Sequence, residues 1–365
     1  MKVLIVGGGI AGTSLAILLA RAGVTVELAE RNPTWTALGS GITLQGNALR
    51  VLRDLGVWDR VKAEGYAFDS VGIRTPTGDL LFESDDIRSG GPDLPASLGM
   101  YRPALCSILV EAAESAGAGL MLGRTVTSVD PVAFDDGTTG EYDLVIGADG
   151  IRSSVRRMIG IGTEPRPVGM GAWRAHVPRP ARIRRTELMY GGPCYIAGYC
   201  PTGENSIYAY LVDKVTDQAV IPRERLAGMM RELAHPYGGA WEEIKPTLTD
   251  TVPINYTHFE WLLVDGPWHR GNVLLLGDAV HACPPTLAQG AAQCLEDASV
   301  LAELLLARGG LDRTLLDEFR DRRIDRVRTV VETSLQIARW QMEPGPGADV
   351  PGAMARVATA MTERP

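Results

Sequence analysis

The chain has 365 residues, 45% of them hydrophobic, and a formal net charge of −8. This is enough apolar material for a large core and two domains. The acidic balance, with no Lys/Arg-rich block, excludes nucleic acid and anionic membrane as partners. No stretch is long and apolar enough to span a bilayer.

The five cysteines, Cys106, Cys194, Cys200, Cys283 and Cys294, are irregularly spaced and form no C-x-x-C pair. They read as reduced packing thiols of a cytoplasmic protein. No metal is expected, because the histidines do not cluster with them.

Residues 2–6 are a short β-branched run and predict a buried parallel strand. Residues 10–22 predict a helix closed by Gly23, and residues 24–30 a second strand ending at Glu30. The glycines between them fit a dinucleotide fingerprint. Gly7 permits the tight turn, Gly9 the close approach of a pyrophosphate, and Gly12 close helix–strand packing. The helix start offers free N–H groups and a positive dipole end. Glu30 follows Gly12 by 18 residues, where an acid accepts ribose hydroxyls and repels a 2′-phosphate. The pattern fits FAD or NAD and does not separate them. This strand–turn–helix pattern also argues against a signal peptide.

Residues 46–64 predict one helix, 70–83 a hairpin and 84–99 a Gly/Pro/Asp/Ser-rich loop. A helix with Pro103 in its first turn covers 103–117. Short strands fill 119–147, and a helix covers 152–159. From about 165 to 260 aromatic-bearing alternation predicts an antiparallel sheet, interrupted by a helix near 222–234. Residues 273–307 return to strand and helix, and a long helix runs from 311 to 342. The Pro/Gly-rich tail after Glu343 is expected to be mobile, with at most a short helix over 352–362.

Three further segments carry chemistry. Tyr101-Arg102-Pro103 opens a helix with an arginine, and Asp149-Gly150 ends a strand. The third is the turn Gly277-Asp278-Ala279-Val280-His281, followed by Pro285, Leu287-Ala288-Gln289-Gly290 and Glu296-Asp297. In this arrangement the chain resembles the FAD-dependent aromatic-ring hydroxylases related to para-hydroxybenzoate hydroxylase, to about residue 340. The resemblance implies an α/β fold. A Rossmann-like FAD-binding domain (1–68, 100–165 and 270–342) would carry an inserted antiparallel β-sheet substrate domain (69–99 and 166–269), a long C-terminal helix and a tail over 343–365.

It also implies roles by position. Gly7, Gly9, Ile10, Ala11, Gly12, Glu30 and Arg31 would hold the AMP half and pyrophosphate of FAD. Arg102 would contact the pyrophosphate or ribityl chain, and Val126 the adenine through its backbone. Asp149 would lie near the flavin, Gly277 and Asp278 near the ribityl hydroxyls. Gly41, Pro285, Gln289, Gly290 and Ala291 complete the set, with the backbone of Leu287 to Gly290 facing the flavin pyrimidine edge. Many relatives read Gly-Gln-Gly, a small residue, then Asn; here the loop is Ala288-Gln289-Gly290-Ala291-Ala292, which puts side-chain contacts in doubt and leaves backbone contacts intact.

The implied reaction uses NADH or NADPH and O2. A flavin C4a-hydroperoxide would hydroxylate, or epoxidise, an aromatic or conjugated small molecule, in secondary metabolism, by a monomer or homodimer. Arg174, His176, Tyr195, Tyr208 and Tyr210 are candidates for the substrate pocket, with His or Tyr as a base. The alternation puts Tyr208 and Tyr210 on one face of a strand, without saying which. Trp173 and the sheet tyrosines read equally as core. Arg152 and Arg156 read either as exposed helix charges or as site residues. Glu296-Asp297 read as a solvated first turn or as cofactor ligands, and His281 as ordering its loop. Alternatives are an FAD dehydrogenase or oxidase without oxygen insertion, or a non-catalytic flavin-binding protein. A halogenase is disfavoured, since no Trp-x-Trp-x-Ile segment is present.

Overall fold

The structure is a computed structural model that describes residues 1–35, 39, 41–215 and 221–365. Its elements begin with β1 (Lys2–Val6), α1 (Ile10–Arg21), β2 (Thr25–Glu30), β3 (Ile42–Gln45), α2 (Gly46–Asp54) and α3 (Trp58–Glu64). There follow β4 (Tyr66–Phe68), β5 (Ser70–Arg74), β6 (Leu80–Asp85), β7 (Ser97–Met100), α4 (Arg102–Ser115), β8 (Gly119–Leu122), β9 (Val126–Val129), β10 (Val132–Phe134), β11 (Thr139–Gly140) and β12 (Leu144–Gly147). The middle holds α5 (Ser154–Met158), β13 (Arg166–Pro178), β14 (Thr186–Met189), β15 (Ile196–Gly203), β16 (Ser206–Lys214), α6 (Arg223–Ala234), α7 (Trp241–Ile244) and β17 (Ile254–Leu263). Last come β18 (His269–Arg270), β19 (Val273–Leu275), β20 (His281–Ala282), α8 (Gly290–Arg308), α9 (Arg313–Met342) and α10 (Val350–Ala360).

The N-terminal βαβ unit forms as the apolar pattern dictates. β1 pairs in parallel with β2 on one side and β12 on the other, within a six-stranded sheet ordered β18-β19-β12-β1-β2-β8. Its central strands are buried on both faces, which is why β1, β12 and β19 read as continuous aliphatic runs. Helix α1 and the first half of α8 pack on this sheet in one apolar core. The α/β fold with an inserted sheet and a long C-terminal helix is therefore the one expected.

The second large sheet has eight strands ordered β20-β17-β13-β16-β15-β14-β5-β6. All its pairs are antiparallel except β5 with β14. Register pairs Arg174 with Tyr210 and His176 with Tyr208, so these four side chains share one face. The other face carries Trp173, Ala175, Val177, Ile207, Ala209 and Leu211, which pack with Met230, Trp241 and Ile244 of α6 and α7. Trp173 is thus core, whereas the two tyrosines belong to the opposite face.

Three expectations change. The helix read over 46–64 is two, α2 and α3, because Gly56 takes a left-handed φ of +67° and breaks the run. The loop read over 84–99 ends in β7, which pairs with β3 and β4. The tail, expected to be mobile, packs: Ala353, Val357 and Met361 are buried against Leu287, Val330 and Ile337. Burying each large apolar side chain contributes about 1.5–3 kcal/mol, enough to hold a short helix. Val357→Asp should therefore detach α10. Limited proteolysis should leave the wild-type tail resistant and cut the variant between α9 and α10.

Candidate active site

The first turn has the shape a phosphate cradle needs. Gly7 adopts φ +111°, and a Cβ there would lie 2.4 Å from the Ala148 carbonyl oxygen. A Cβ on Gly12 would lie 2.0 Å from the Gly7 carbonyl oxygen, so this glycine lets α1 close on the turn. In front of Gly9 nothing lies within 4 Å, and Gly9 makes no side-chain cap to α1. The helix therefore presents Ile10 and Ala11 N–H groups and its dipole to open space. Glu30 ends β2 beside the turn and accepts hydrogen bonds from Gly8 N and Asn32 N, both at 2.9 Å. Arg31 is exposed next to it. Trp35 lies over Gly8, whose Cβ would come within 2.1 Å of the ring. Val126 is buried on β9 near the same end, where Arg124 N donates to Glu30 O at 3.0 Å.

The distal turn meets the first. A Cβ on Gly277 would lie 3.1 Å from both Ala11 Cβ and Cys294 Sγ, so the turn sits between α1 and α8. Asp278 opens onto the groove beside it. Desolvation there pushes its carboxyl above the ordinary value, against the pull of His281 and Arg102. Arg102 opens α4 with an exposed side chain, and its Cδ would lie 3.0 Å from a Cβ on Gly39. Asp149 lies just past the end of β12, before α5. Its carboxylate accepts from Ser153 Oγ (2.5 Å), Ser154 N (2.7 Å) and Val155 N (3.1 Å), capping α5.

Beneath the distal turn lies a buried polar network. Asp297 accepts from Gly277 N at 2.8 Å, pairs with His281 Nε2 at 2.7 Å and accepts from Arg323 Nε at 2.7 Å. Glu296 accepts from Arg323 (2.9 Å), Arg326 (2.7 Å) and Asn47 Nδ2 (3.0 Å). Glu296, Asp297 and Arg323 have no exposed surface. Burial pushes the Asp297 carboxyl up, but His281 and Arg323 outweigh it and hold it at about 2. The acidic pair is therefore neither a solvated first turn nor open to a ligand, and His281 orders its loop. Arg156 is likewise fully buried, donating to the carbonyls of Thr163, Ala279 and Ile151, each at 2.9 Å. Arg152 is exposed and pairs with Glu260.

The loop after Pro285 is tied to this network. Asn47 Nδ2 donates to Gln289 Oε1 at 3.0 Å, Gln289 Nε2 donates to Gln45 and Asn47, and Gln45 donates to Leu287 O at 2.9 Å. The Gln289 side chain is consumed by these bonds, leaving only its backbone for a ligand. Ala288 is held at φ 52°, a left-handed conformation that costs a non-glycine residue about 1–2 kcal/mol. Gly290, Ala291 and Ala292 start α8 with no side-chain cap.

Above the loop, the inner face of the eight-stranded sheet borders a half-open cavity of about 160 Å³. Arg174, Tyr208, Tyr210, Tyr190 and Phe259 line it with Leu287 and Ala288. Gly41 abuts the Tyr208 ring, which a Cβ would approach to 2.3 Å. Tyr208 and Tyr210 stack with centroids 5.0 Å apart. Burial pushes both phenols well above their ordinary value, so they are hydrogen-bond donors at neutral pH. His176 stacks on Tyr101 at 4.3 Å rather than lining the cavity, and burial lowers its pKa. Tyr195 also lies outside the lining. Arg174 donates to Thr257 Oγ1 at 2.5 Å and lies over the Phe259 ring at 5.7 Å. Among the described residues no carboxylate pairs with it. Burial lowers its pKa, yet a guanidinium stays charged. Asp86 also lines the cavity; burial and the neighbouring Asp69 and Asp85 push its carboxyl up to about 6.

Sequence reading missed Asn47, Gln45, Arg323 and Asp86. Asn47 carried one signal, a polar side chain on the apolar face of a helix.

Residues 1–334 match the model of a family described as FAD binding domain, and the chain belongs to that family. It is 30% identical to 3-amino-4-hydroxybenzoate 2-monooxygenase of Streptomyces cremeus, over 95% of this chain and 89% of the relative. It is 31% identical to 2-heptyl-3-hydroxy-4(1H)-quinolone synthase of Pseudomonas aeruginosa, over 93% and 90% respectively. Among solved structures it is similar to the tetrameric form of 2-methyl-3-hydroxypyridine-5-carboxylic acid oxygenase, at 26% identity and a TM-score of 0.81 over 98% of this chain and 97% of that one. FAD is thus its cofactor, and it is an enzyme.

Two outcomes follow from this geometry. Arg323→Met leaves Glu296 and Asp297 as buried, under-paired charges, so it should cost about 3–5 kcal/mol in a denaturant melt and lower the FAD content. Asp86 is protonated more readily in the folded chain, so the folded state loses stability as pH rises from about 4 to 6. Asp86→Asn should therefore match wild type at pH 4 and exceed it at pH 8 by about 2–3 kcal/mol, read from melts across that range.

Proposed function

We propose that this member of the FAD-dependent aromatic-ring hydroxylases is a monooxygenase. It uses NADH or NADPH and O2 to hydroxylate, or epoxidise, an aromatic or conjugated small molecule. The observation that carries this reading is the meeting of the two glycine turns at Ala11 and Gly277, together with a cavity lined by Arg174, which pairs with no carboxylate among the described residues. The residues fit the cofactor: open space faces Gly9 and the bare start of α1, which suits a pyrophosphate. Bound FAD would supply the electrons that activate O2, which is the source of the oxygen atom transferred.

The rest is done by the chain. The N–H groups at the starts of α1 and α8 stabilise negative charge on the pyrophosphate and on the flavin pyrimidine edge. Glu30 and Asp278 accept from ribose and ribityl hydroxyls, and Arg102 neutralises phosphate charge. Segments 1–68, 100–165 and 270–342 form the cofactor unit, and 69–99 with 166–269 the substrate unit. Arg174 pairs with an anionic group of the substrate, a carboxylate or ring oxyanion. Tyr208 and Tyr210 donate hydrogen bonds, and the apolar walls exclude water. The protein works in the cytoplasm as a monomer or homodimer.

The purified protein should show a bound-flavin spectrum. Phenols, indoles or larger hydroxylated aromatics should stimulate NADH or NADPH oxidation in air and yield a product heavier by one oxygen. Flavin reduced by the substrate itself, with no oxygen inserted, would overturn the reading in favour of a dehydrogenase or oxidase. Arg174→Met should raise KM for anionic substrates by roughly 10- to 100-fold, the weight of a charge-assisted hydrogen bond, with kcat changed only a few-fold.

A further inference from the structure

The family match ends at residue 334, yet Gln341 and Met354, which both line the cavity, come from beyond it. Met354 lies on α10, and α10 is fixed at its far end. Arginines from α2 and α9 hold its last carbonyl and those of the segment that follows it. Arg326 donates to Ala360 O at 3.0 Å and Glu363 O at 3.1 Å, and Arg50 donates to Thr362 O at 3.0 Å and Glu363 O at 3.2 Å. Arg322 donates to Pro365 O at 2.8 Å. Arg326 also grips Glu296, which holds Asn47, which holds Gln289. One polar network therefore sets both the loop at 285–290 and the helix that carries Met354.

A side chain held in register with the cofactor loop is placed to gauge what fits between them. We infer that Met354 determines specificity, closing the cavity so that it takes single-ring hydroxylated aromatic acids and rejects fused two-ring ones. This rests on the cavity being the substrate site. The cavity of about 160 Å³ is close to the ~150 Å³ that admits one benzene ring. The thioether is unbranched and polarisable, so it packs against a ring edge without a fixed shape. The acid group would pair with Arg174, which has no carboxylate partner among the described residues and donates only to a hydroxyl.

The test uses the full-length, FAD-loaded enzyme with 4-hydroxybenzoate and salicylate as one-ring probes, and 6-hydroxy-2-naphthoate and 3-hydroxy-2-naphthoate as two-ring probes. Kd is read from perturbation of the flavin spectrum, and turnover from NADH and NADPH oxidation. Met354→Ala should tighten two-ring binding at least about tenfold, the scale of a changed pocket contact, and alter one-ring binding less than threefold. Met354→Leu, which keeps the volume, should retain the wild-type ratio. Met354→Trp should weaken both classes. An unchanged ratio in the alanine variant, or unweakened binding in the tryptophan variant, with wild type still binding the one-ring probes, overturns the inference alone. If wild type binds neither class while its flavin is loaded, the reading of the cavity as the substrate site fails, and the inference with it.

Discussion

The fully buried pairing of Arg323 with Glu296 and Asp297 is the constraint on which the rest of the structure depends. A charge in a protein interior is tolerated only when opposite charge and hydrogen bonds compensate it. Here that demand is met by segments far apart in sequence: Asn47, Gly277, His281, Gln293 and Arg326 all converge on these three side chains. Removing any partner strands a charge, so the arrangement has little freedom to slip. The groups it fixes are those that border the cofactor groove.

Two consequences follow for the site. The Gly277 turn is pinned through its own N–H, which sets it against Ala11 and so joins the N-terminal cradle to the distal one. The loop at 285–290 is pinned through Gln289, which spends its side chain inward and leaves its backbone outward. The strained Ala288 is then a local cost of that loop path, borne by bonds on both sides of it. The eight-stranded sheet needs no such pinning at its centre. Its outer face is an ordinary apolar core, and its inner face can therefore carry polar groups, Arg174 among them, which pairs with no carboxylate among the described residues.

Much of this was legible in the residues. The βαβ unit follows from a β-branched run, a glycine turn and a strand ending in Glu30. Gly7 and Gly12 occupy the positions where a side chain would strike backbone. The distal Gly277-Asp278 turn was readable because it follows an aliphatic strand. What stayed hidden depends on contacts between distant segments. Arg323 sits in a long helix rich in half-buried arginines, and nothing local marks it as the fully buried one. Arg156 looked like a helix charge, yet three carbonyls surround it. Asp149 stood in a recognisable motif, but its carboxylate caps a helix. The tail has a loop-like composition at 344–349 and gains its order from apolar residues on α9 and α10 that meet only in three dimensions.

The most direct test of the function is a single turnover of the reduced, substrate-loaded enzyme under 18O2, with mass analysis of the product. One 18O atom in the product, the other in water, is the result expected of a flavoprotein monooxygenase held in this site. A product without 18O, formed while the flavin reoxidises, would contradict oxygen insertion and leave a dehydrogenase or oxidase.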